Sequence, residues 1–479
     1  MNELTLQLTN GARLVVPASL DSITTYVLLE QEAWFEKEVA FLNHLLRPGM
    51  TAIDIGANLG VYSIPMARLV GPTGKIFAYE PGTEARTLLE KSRTLNQVCN
   101  LEIVAAALSD GEREGCLKVA LSSELNSLSD EGDGERVRVT SLDLEQARCH
   151  WPSPDFVKID AEGEEENILR GGTAFFKKHS PLVLFEIKAG LAVNESLRAA
   201  FPAMGYRVFR LLPGAPILVP DRIDQPLSDY ELNLFAAKPD RVAELARAGL
   251  LVEEWTSWQP SETDRRQALD LWQTQLFAPP FMSRLGAPLD ADYRDALAAY
   301  AAWRSATIPL AERCTALDFA CRTLTALCER SGSFPRLSTL ARIAFEAGQT
   351  HVSVAALELL VREATAKKVF VSEPFWPACS RYDRLTPDAD IDAWFTSAAV
   401  EQLEKTAHYS SIFGGFIKQL DWLCGKPWAT AEMERRRTLF RGRSGATVIV
   451  PARLRTPAAD HLNADLWRRG LVPNTVLAG

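Results

Sequence analysis

Between Thr51 and Ile187 the chain repeats one pattern: a short, apolar, β-branched run closes on a polar or glycine-bearing break, usually followed by a helical stretch. The runs are TAIDIG, KIFAYE, LEIVAAAL, DFVKID and PLVLFEI, with helix-like segments after the first, second and fourth. Strands this apolar, alternating with helices, must be covered on both faces, which predicts an α/β fold with a doubly wound parallel sheet. Two further strands, YRVFRLL and ELNLFAA, follow with only a loop between them. Without a crossover helix to connect them, they are expected to close the sheet as an antiparallel pair, an ending unusual for dehydrogenase-type Rossmann domains.

The flanking segments have their own signatures. Residues 1–30 alternate apolar and polar positions about Asn10-Gly11, which predicts a hairpin. From Glu32 to Leu46 the residues Phe35, Val39, Leu42, Leu45 and Leu46 fall at helical spacing until Pro48-Gly49 stops them. GCLKVAL and RVRVTSL flank the polar stretch SSELNSLSDEGDGE, predicting an inserted hairpin at the ligand end of the sheet. The GPTGK string at Gly71–Lys75 lacks phosphate-loop spacing and precedes a strand, so it is read as a turn.

With 479 residues the chain exceeds what one core organises. Near Lys238-Pro239-Asp240 its character changes to Ala, Leu and Arg at helical periodicity, so two domains are expected, 1–240 and an α-helical 241–479. In the second, LARIAFEAGQ and SVAALELLVREA read as one tetratricopeptide-like hairpin without a second copy at a fixed period. Nine of the eleven tryptophans lie beyond residue 240 and are mostly assigned to its core. The irregular aromatic segment Glu373–Pro377, with Arg381-Tyr382-Asp383, is the expected contact surface for substrate or the other domain.

Chemistry concentrates in three strings. Asp54-Ile55-Gly56-Ala57-Asn58-Leu59-Gly60 follows a strand and opens a helix near Val61. Its glycines permit a tight turn, and the helix N-terminus offers N–H groups to a ligand carboxylate. Asn58 stands where a nicotinamide-type G-x-G-x-x-G requires glycine, which argues against a dinucleotide oxidoreductase. Glu80 lies 24 residues after Gly56, close to the roughly 20-residue offset at which an acid accepts both ribose hydroxyls; the alternative is a cap on the helix after Pro81. Lys158-Ile159-Asp160-Ala161-Glu162-Gly163-Glu164-Glu165 ends a buried strand in acids at the edge where open α/β sheets bind ligands. Glu164, Glu165 and Glu166 fit a helix first turn, whereas Asp160 and Glu162 precede it at the strand tip. Glu186 ends the next strand.

Taken in order, the D-x-G-A-N-x-G turn (Asp54–Gly60), the E-P pair (Glu80-Pro81), the K-I-D-x-E-G-x-E string (Lys158–Glu165) and Glu186–Lys188 resemble the FkbM family of S-adenosylmethionine (SAM)-dependent methyltransferases, over about residues 42–237. Lys188 departs from the histidine common there, and Glu164 from a small residue. The resemblance implies a Rossmann-like class I methyltransferase sheet and SAM held by Asp54, Gly56, Ala57, Asn58, Gly60 and Glu80. It further implies O-methylation of a glycan, lipid-linked saccharide or polyketide-type hydroxyl, a bacterial glycan or glycolipid being the first choice.

Methyl transfer to a hydroxyl requires alignment and removal of its proton. Asp160, Glu162 and Glu186 are the candidates, either as base or as holders of a divalent cation that acidifies the hydroxyl. The helical half is assigned to substrate or to a protein partner; the contrasting reading is a scaffold with a vestigial methyltransferase domain. A net charge of −9 argues against nucleic acid. No apolar run reaches the ~18 residues of a membrane span, and eight cysteines without C-x-x-C spacing argue against structural zinc. Cys314, Cys321 and Cys328 share one helical face as core residues. A reducing, cytoplasmic setting is expected.

Overall fold

All seven anticipated strands form. In the computed structural model, which describes residues 2–477 apart from 119, 121, 130–132, 190–191, 223–226, 287, 388–389 and 416, they are β1 (Thr51–Ile55), β2 (Lys75–Tyr79), β3 (Leu101–Val104), β4 (Phe156–Ile159), β5 (Leu182–Glu186), β6 (Arg207–Leu211) and β7 (Asn233–Ala237). They lie in the order β3-β2-β1-β4-β5-β7-β6. The first five are mutually parallel, and β7 runs antiparallel to both β5 and β6. These strands form the expected Rossmann-like sheet, with β7 and β6 antiparallel beside the five parallel strands. The strand order reverses between β1 and β4, and such a switch point opens a crevice at the carboxyl ends of the strands.

Side chains alternate across the sheet, and each set has its own cover. Ile53, Ile55, Phe77, Tyr79, Val157, Ile159, Val183 and Phe185 pack against Leu142, Trp151, Ile168, Phe175 and Phe201 from the helices Leu142–Cys149, Glu165–Gly171, Thr173–Lys178 and Glu195–Ala203 and the loop at Trp151. The opposite face is covered by the helices Lys37–Leu45, Ser63–Val70 and Thr83–Asn96, with Phe41 edge-on to Phe235 at 5.4 Å. Asp54 and Lys158 belong to this second set, so β1 and β4 each carry one buried charge.

The hairpin about Asn10-Gly11 is present as Glu3–Gln7 paired with Arg13–Pro17. The helix expected over 32–46 forms as Lys37–Leu45, and residues 23–31, read as part of the hairpin, form a further helix, Ile23–Gln31, which ends where Glu32 takes a left-handed conformation (φ 56°). The inserted hairpin forms from Arg113–Lys118 and Glu135–Thr140, flanked by Ala107–Leu108 and Ser127–Ser129. Gly71–Lys75 is a turn closed by the Gly74 N–H on the Gly71 carbonyl.

Composition marks one change near residue 240, but the chain divides less simply: one compact unit comprises Met1–Leu211, Asp221–Leu250 and Glu434–Gly479, the other Leu212–Pro220 and Leu251–Met433. The first unit therefore takes back the end of the chain. Glu32, 1% exposed, accepts hydrogen bonds from the Leu462 and Asn463 N–H groups and from the Asn463 amide, with the Arg435 guanidinium 3.6 Å away. Asn463 in turn pairs with both backbone groups of Gln7, and Arg436 faces Glu30 at 3.4 Å, both fully buried. Arg435 donates to the Glu30 carbonyl.

The second unit is helical, its longest helices being Ala291–Arg304, Leu310–Ser331, Phe334–Glu346, Thr350–Ala366 and Ile391–Thr406. Cys314 and Cys321 are buried on Leu310–Ser331 and Cys328 is partly so. Tryptophans 272, 303, 376 and 394 are core residues. The segment around Glu373–Asp383 is also core, which corrects its assignment as a contact surface: Phe375, Trp376 and Tyr382 are buried. Its carbonyls explain the irregular backbone. Trp272 Nε1 donates to Phe375, Tyr293 Oη to Pro374 and Ser338 Oγ to Trp376, so these side chains replace a ladder. Among the described residues no helix is long and apolar enough to cross a membrane.

Candidate active site

At the end of β1 the chain reverses through Gly56 (φ 79°), Asn58 (φ 46°) and Gly60 (φ 89°), and the helix Ser63–Val70 begins two residues later than expected. Gly56 is dictated twice, by its left-handed backbone and by space: a Cβ there would lie 1.8 Å from the Asp160 carbonyl oxygen. The turn and the tip of β4 are therefore in backbone contact. At Gly60 a Cβ would meet Leu89 at 2.4 Å. Gly56→Ala should destabilise the fold by about 3 kcal/mol, strain plus a backbone clash. Gly163→Ala, where φ is 104° but nothing lies within 4 Å, should cost only the strain of about 1–2 kcal/mol. Equal denaturant midpoints for the two would contradict the close approach.

Glu80 directly follows β2 and is buried, its two oxygens shared between the N–H groups of Asn58 (2.8 Å) and Gly82 (2.7 Å). It thus ties the turn to the N-cap residue of the helix Thr83–Asn96 without capping a first-turn N–H of that helix, with one lone pair left on each oxygen. Burial pushes its carboxyl up to about 7 against those two donors. Ala57 holds its place through its N–H on the Tyr79 carbonyl at 3.0 Å.

Parallel register sets Lys158 beside Asp54. Both are buried, so the ammonium needs partners: it lies 2.8 Å from Asp160 Oδ2, 3.8 Å from Asp54 Oδ1 and 5.0 Å from the centre of the Tyr62 ring. Asp54 also accepts from Ser63 Oγ, which pins the start of the following helix. Although burial opposes charge on both, the Lys158–Asp160 attraction holds Lys158 above and Asp160 below their ordinary ranges.

Asp160, Glu162 and Glu186 come together as the sequence suggested, each presenting a carboxylate oxygen within 4.8 Å of the others. Glu186 reaches Asp160 from the tip of β5; burial and then the Asp160 charge raise its carboxyl strongly, and its Oε2 is buried without a hydrogen-bond partner. Glu162 sits at φ 50°, and burial followed by repulsion from Asp160 brings it to about 8. Glu165 shapes that loop by accepting from the Ala161 and Gly163 N–H groups at 2.9 and 3.2 Å. Glu164, Glu165 and Glu166 otherwise occupy the start of the helix, as expected. Lys188, at the divergent position, donates to the Asp229 carbonyl, outside this cluster.

Three participants were not picked out from sequence. Lys158 had a visible signal, one charge in an apolar strand. Glu36 and Tyr62 had none: Tyr62 Oη donates to Glu36, which also accepts from Asn233 Nδ2 at 3.2 Å, a contact between the segment before β1 and the start of β7.

Residues 54–208 match the family model described as the methyltransferase FkbM domain. That stretch is an FkbM methyltransferase domain. It contains every residue assigned above to the turn, Glu80 and the carboxylate cluster. No curated protein matches the chain. Among solved structures, similar ones include methyltransferase FkbM from Methylobacillus flagellatus KT, 13% identical over 41% of this chain and 50% of that one, TM-score 0.28. A SAM-dependent O-methyltransferase from Thermotoga maritima is 18% identical over 49% and 77%, TM-score 0.27. A putative methyltransferase from Streptococcus mutans, solved with S-adenosylhomocysteine (SAH), is 10% identical over 43% and 97%, TM-score 0.26. The chain spans half the length of the first of these. The family match, and with it the assignment to SAM-dependent methyltransferases, extends over residues 54–208.

Proposed function

We propose that the chain is a SAM-dependent O-methyltransferase whose acceptor is a hydroxyl of a glycan or glycolipid. The observation that carries this is the convergence of Asp160, Glu162 and Glu186 within 4.8 Å, on a strand tip in backbone contact with the glycine turn. SAM, when bound, supplies an electrophilic sulfonium methyl. Within the turn the N–H groups of Gly56, Ala57, Asn58 and Gly60 are already given to Tyr79, Glu80 and Ala57, so the methionine carboxylate of SAM is received by the Leu59 N–H and the Asn58 side-chain amide, and the free lone pairs of Glu80 accept the ribose hydroxyls. The carboxylate cluster would orient the acceptor oxygen and take its proton as the O–CH₃ bond forms in line and the methyl's bond to sulfur breaks, leaving SAH. The same three side chains are hard oxygen donors of the kind a divalent cation takes, and a cation held there would acidify the hydroxyl. Lys158 already supplies a positive charge to Asp160, which favours the carboxylate scheme.

Glu80 makes a pH dependence that can be signed. A carboxyl raised to about 7 is half protonated at that pH, and only its ionised form accepts both ribose hydroxyls, so SAH affinity should rise as pH increases through 7. Between pH 6 and 8 the gain should be about tenfold, and Glu80→Gln should bind weakly at both. A flat calorimetric profile for the wild type would exclude Glu80 as the ribose acid. The acceptor class is tested by mass spectrometry of cellular glycans and lipids with and without the intact gene. Loss of one CH₂ from a saccharide hydroxyl is expected; unchanged glycans and glycolipids would reject the assignment.

A further inference from the structure

The inserted hairpin reaches the glycine turn through one residue. Ser123 Oγ lies 2.8 Å from Asn58 Oδ1 and donates to it. The Asn58 N–H is already given to Glu80 Oε2, and the Asn58 NH₂ has no hydrogen-bond partner among the described residues. Gly56 and Asn58 are the two partly open positions of the turn, between buried Ala57, Leu59 and the end of β1.

The segment carrying Ser123 is itself fixed on both sides. Ser122 Oγ accepts the Ile23 N–H at 2.9 Å, and Glu124 Oε1 accepts the Thr24 N–H at 3.0 Å, so the first turn of the helix Ile23–Gln31 holds the residues on either side of Ser123. The Thr24 hydroxyl donates to the same Glu124 oxygen. Helix first-turn N–H groups are among the few backbone donors without an internal partner. Their use here leaves Ser123 presented by anchored neighbours, not by a free loop.

An amide side chain offers a donor on one side and an acceptor on the other, and which of them faces a ligand is decided by its fixed partner. A hydroxyl can serve either end of the amide; donating to Oδ1 turns the NH₂ the other way. A carboxylate ligand accepts only, so Asn58 serves it only in that orientation.

Resting on the methyltransferase reading above, we propose that Ser123 is a positioning residue for cofactor binding: it holds the Asn58 amide so that its NH₂ donates to the methionine carboxylate of the cofactor. The inserted hairpin thereby becomes part of the cofactor site without itself touching the cofactor.

The test compares two ligands that share the adenosine and thioether but differ in the carboxylate. SAH carries the amino-acid end; 5′-methylthioadenosine lacks it. Calorimetry on the full chain should show Ser123→Ala weakening SAH about five- to tenfold, the size of one charge-assisted hydrogen bond, and leaving methylthioadenosine unchanged. Ser123→Thr, which keeps the hydroxyl, should restore SAH affinity, and Asn58→Asp, which removes the donor, should discriminate more strongly against SAH. In turnover the Ser123→Ala effect should appear in KM for SAM with kcat nearly unchanged. Equal weakening of both ligands, or unchanged SAH affinity, would overturn the proposal. Wild-type protein that binds neither ligand would overturn the methyltransferase reading beneath it.

Discussion

A chain ending at Met433 should fail to form a stable first unit and should bind no SAH, although it keeps every residue of the FkbM domain. The segment Glu434–Gly479 belongs to that unit, and its removal strips Glu32 of three hydrogen bonds and of the Arg435 charge. Burial alone would raise the Glu32 carboxyl; His461, Arg435 and the two N–H groups hold it below its ordinary value instead. Glu30 loses Arg436 at the same time. Removing one partner of a buried ion pair costs about 3–5 kcal/mol. Two such losses approach or exceed the stability of a typical domain, about 5–15 kcal/mol. Hydrogen exchange across β1 to β5 should therefore lose its protection in the shortened chain. Retained protection and SAH binding would show that the end of the chain is dispensable packing. For that design, Asn463→Ala in the full chain gives a graded version, expected to lower stability by about 2–3 kcal/mol.

Asp160→Asn should lower kcat by about 10²–10⁴ while SAH binds normally. Asp160 stands between Lys158 and Glu186, so the substitution removes the charge that Lys158 neutralises and the acceptor that Glu186 faces. Asparagine preserves shape and one acceptor oxygen, and the close approach to Gly56 uses the Asp160 backbone, which is untouched. Binding and turnover are thus separable at this position. Single-turnover kinetics with saturating SAM measure it, and unchanged turnover with normal cofactor binding would remove Asp160 from the chemistry.

How far the sequence reveals this molecule depends on the range of the interactions involved. The strands were legible because parallel strands buried on both faces read as continuous apolar runs, and the antiparallel ending because no helix separates its two strands. The turn at Gly56 was legible because left-handed backbone and close approach both leave glycine as the residue. Asp160, Glu162 and Glu186 could be grouped because consecutive parallel strands bring their tips to one edge.

Other features depend on contacts that no local pattern encodes. Glu36 joins the site through Tyr62 and Asn233, the latter 197 residues away. Ser123 lies in a polar stretch whose composition says only loop. The return of residues 434–479 to the first unit rests on Arg435, Arg436 and Asn463, which look like ordinary surface residues in a helical region until their partners are known. The aromatic segment at Phe375 and Trp376 misled for the opposite reason: irregular backbone suggests a surface, but here side-chain donors satisfy its carbonyls and bury it.

The most direct measurement of the central claim is calorimetric titration of the full chain with SAH and, separately, with NAD. One SAH site per chain, much weakened in Glu80→Gln, and no heat from NAD are the expected results. Binding of NAD alone would contradict the claim, and binding of neither would show that the glycine turn and Glu80 no longer form a cofactor site.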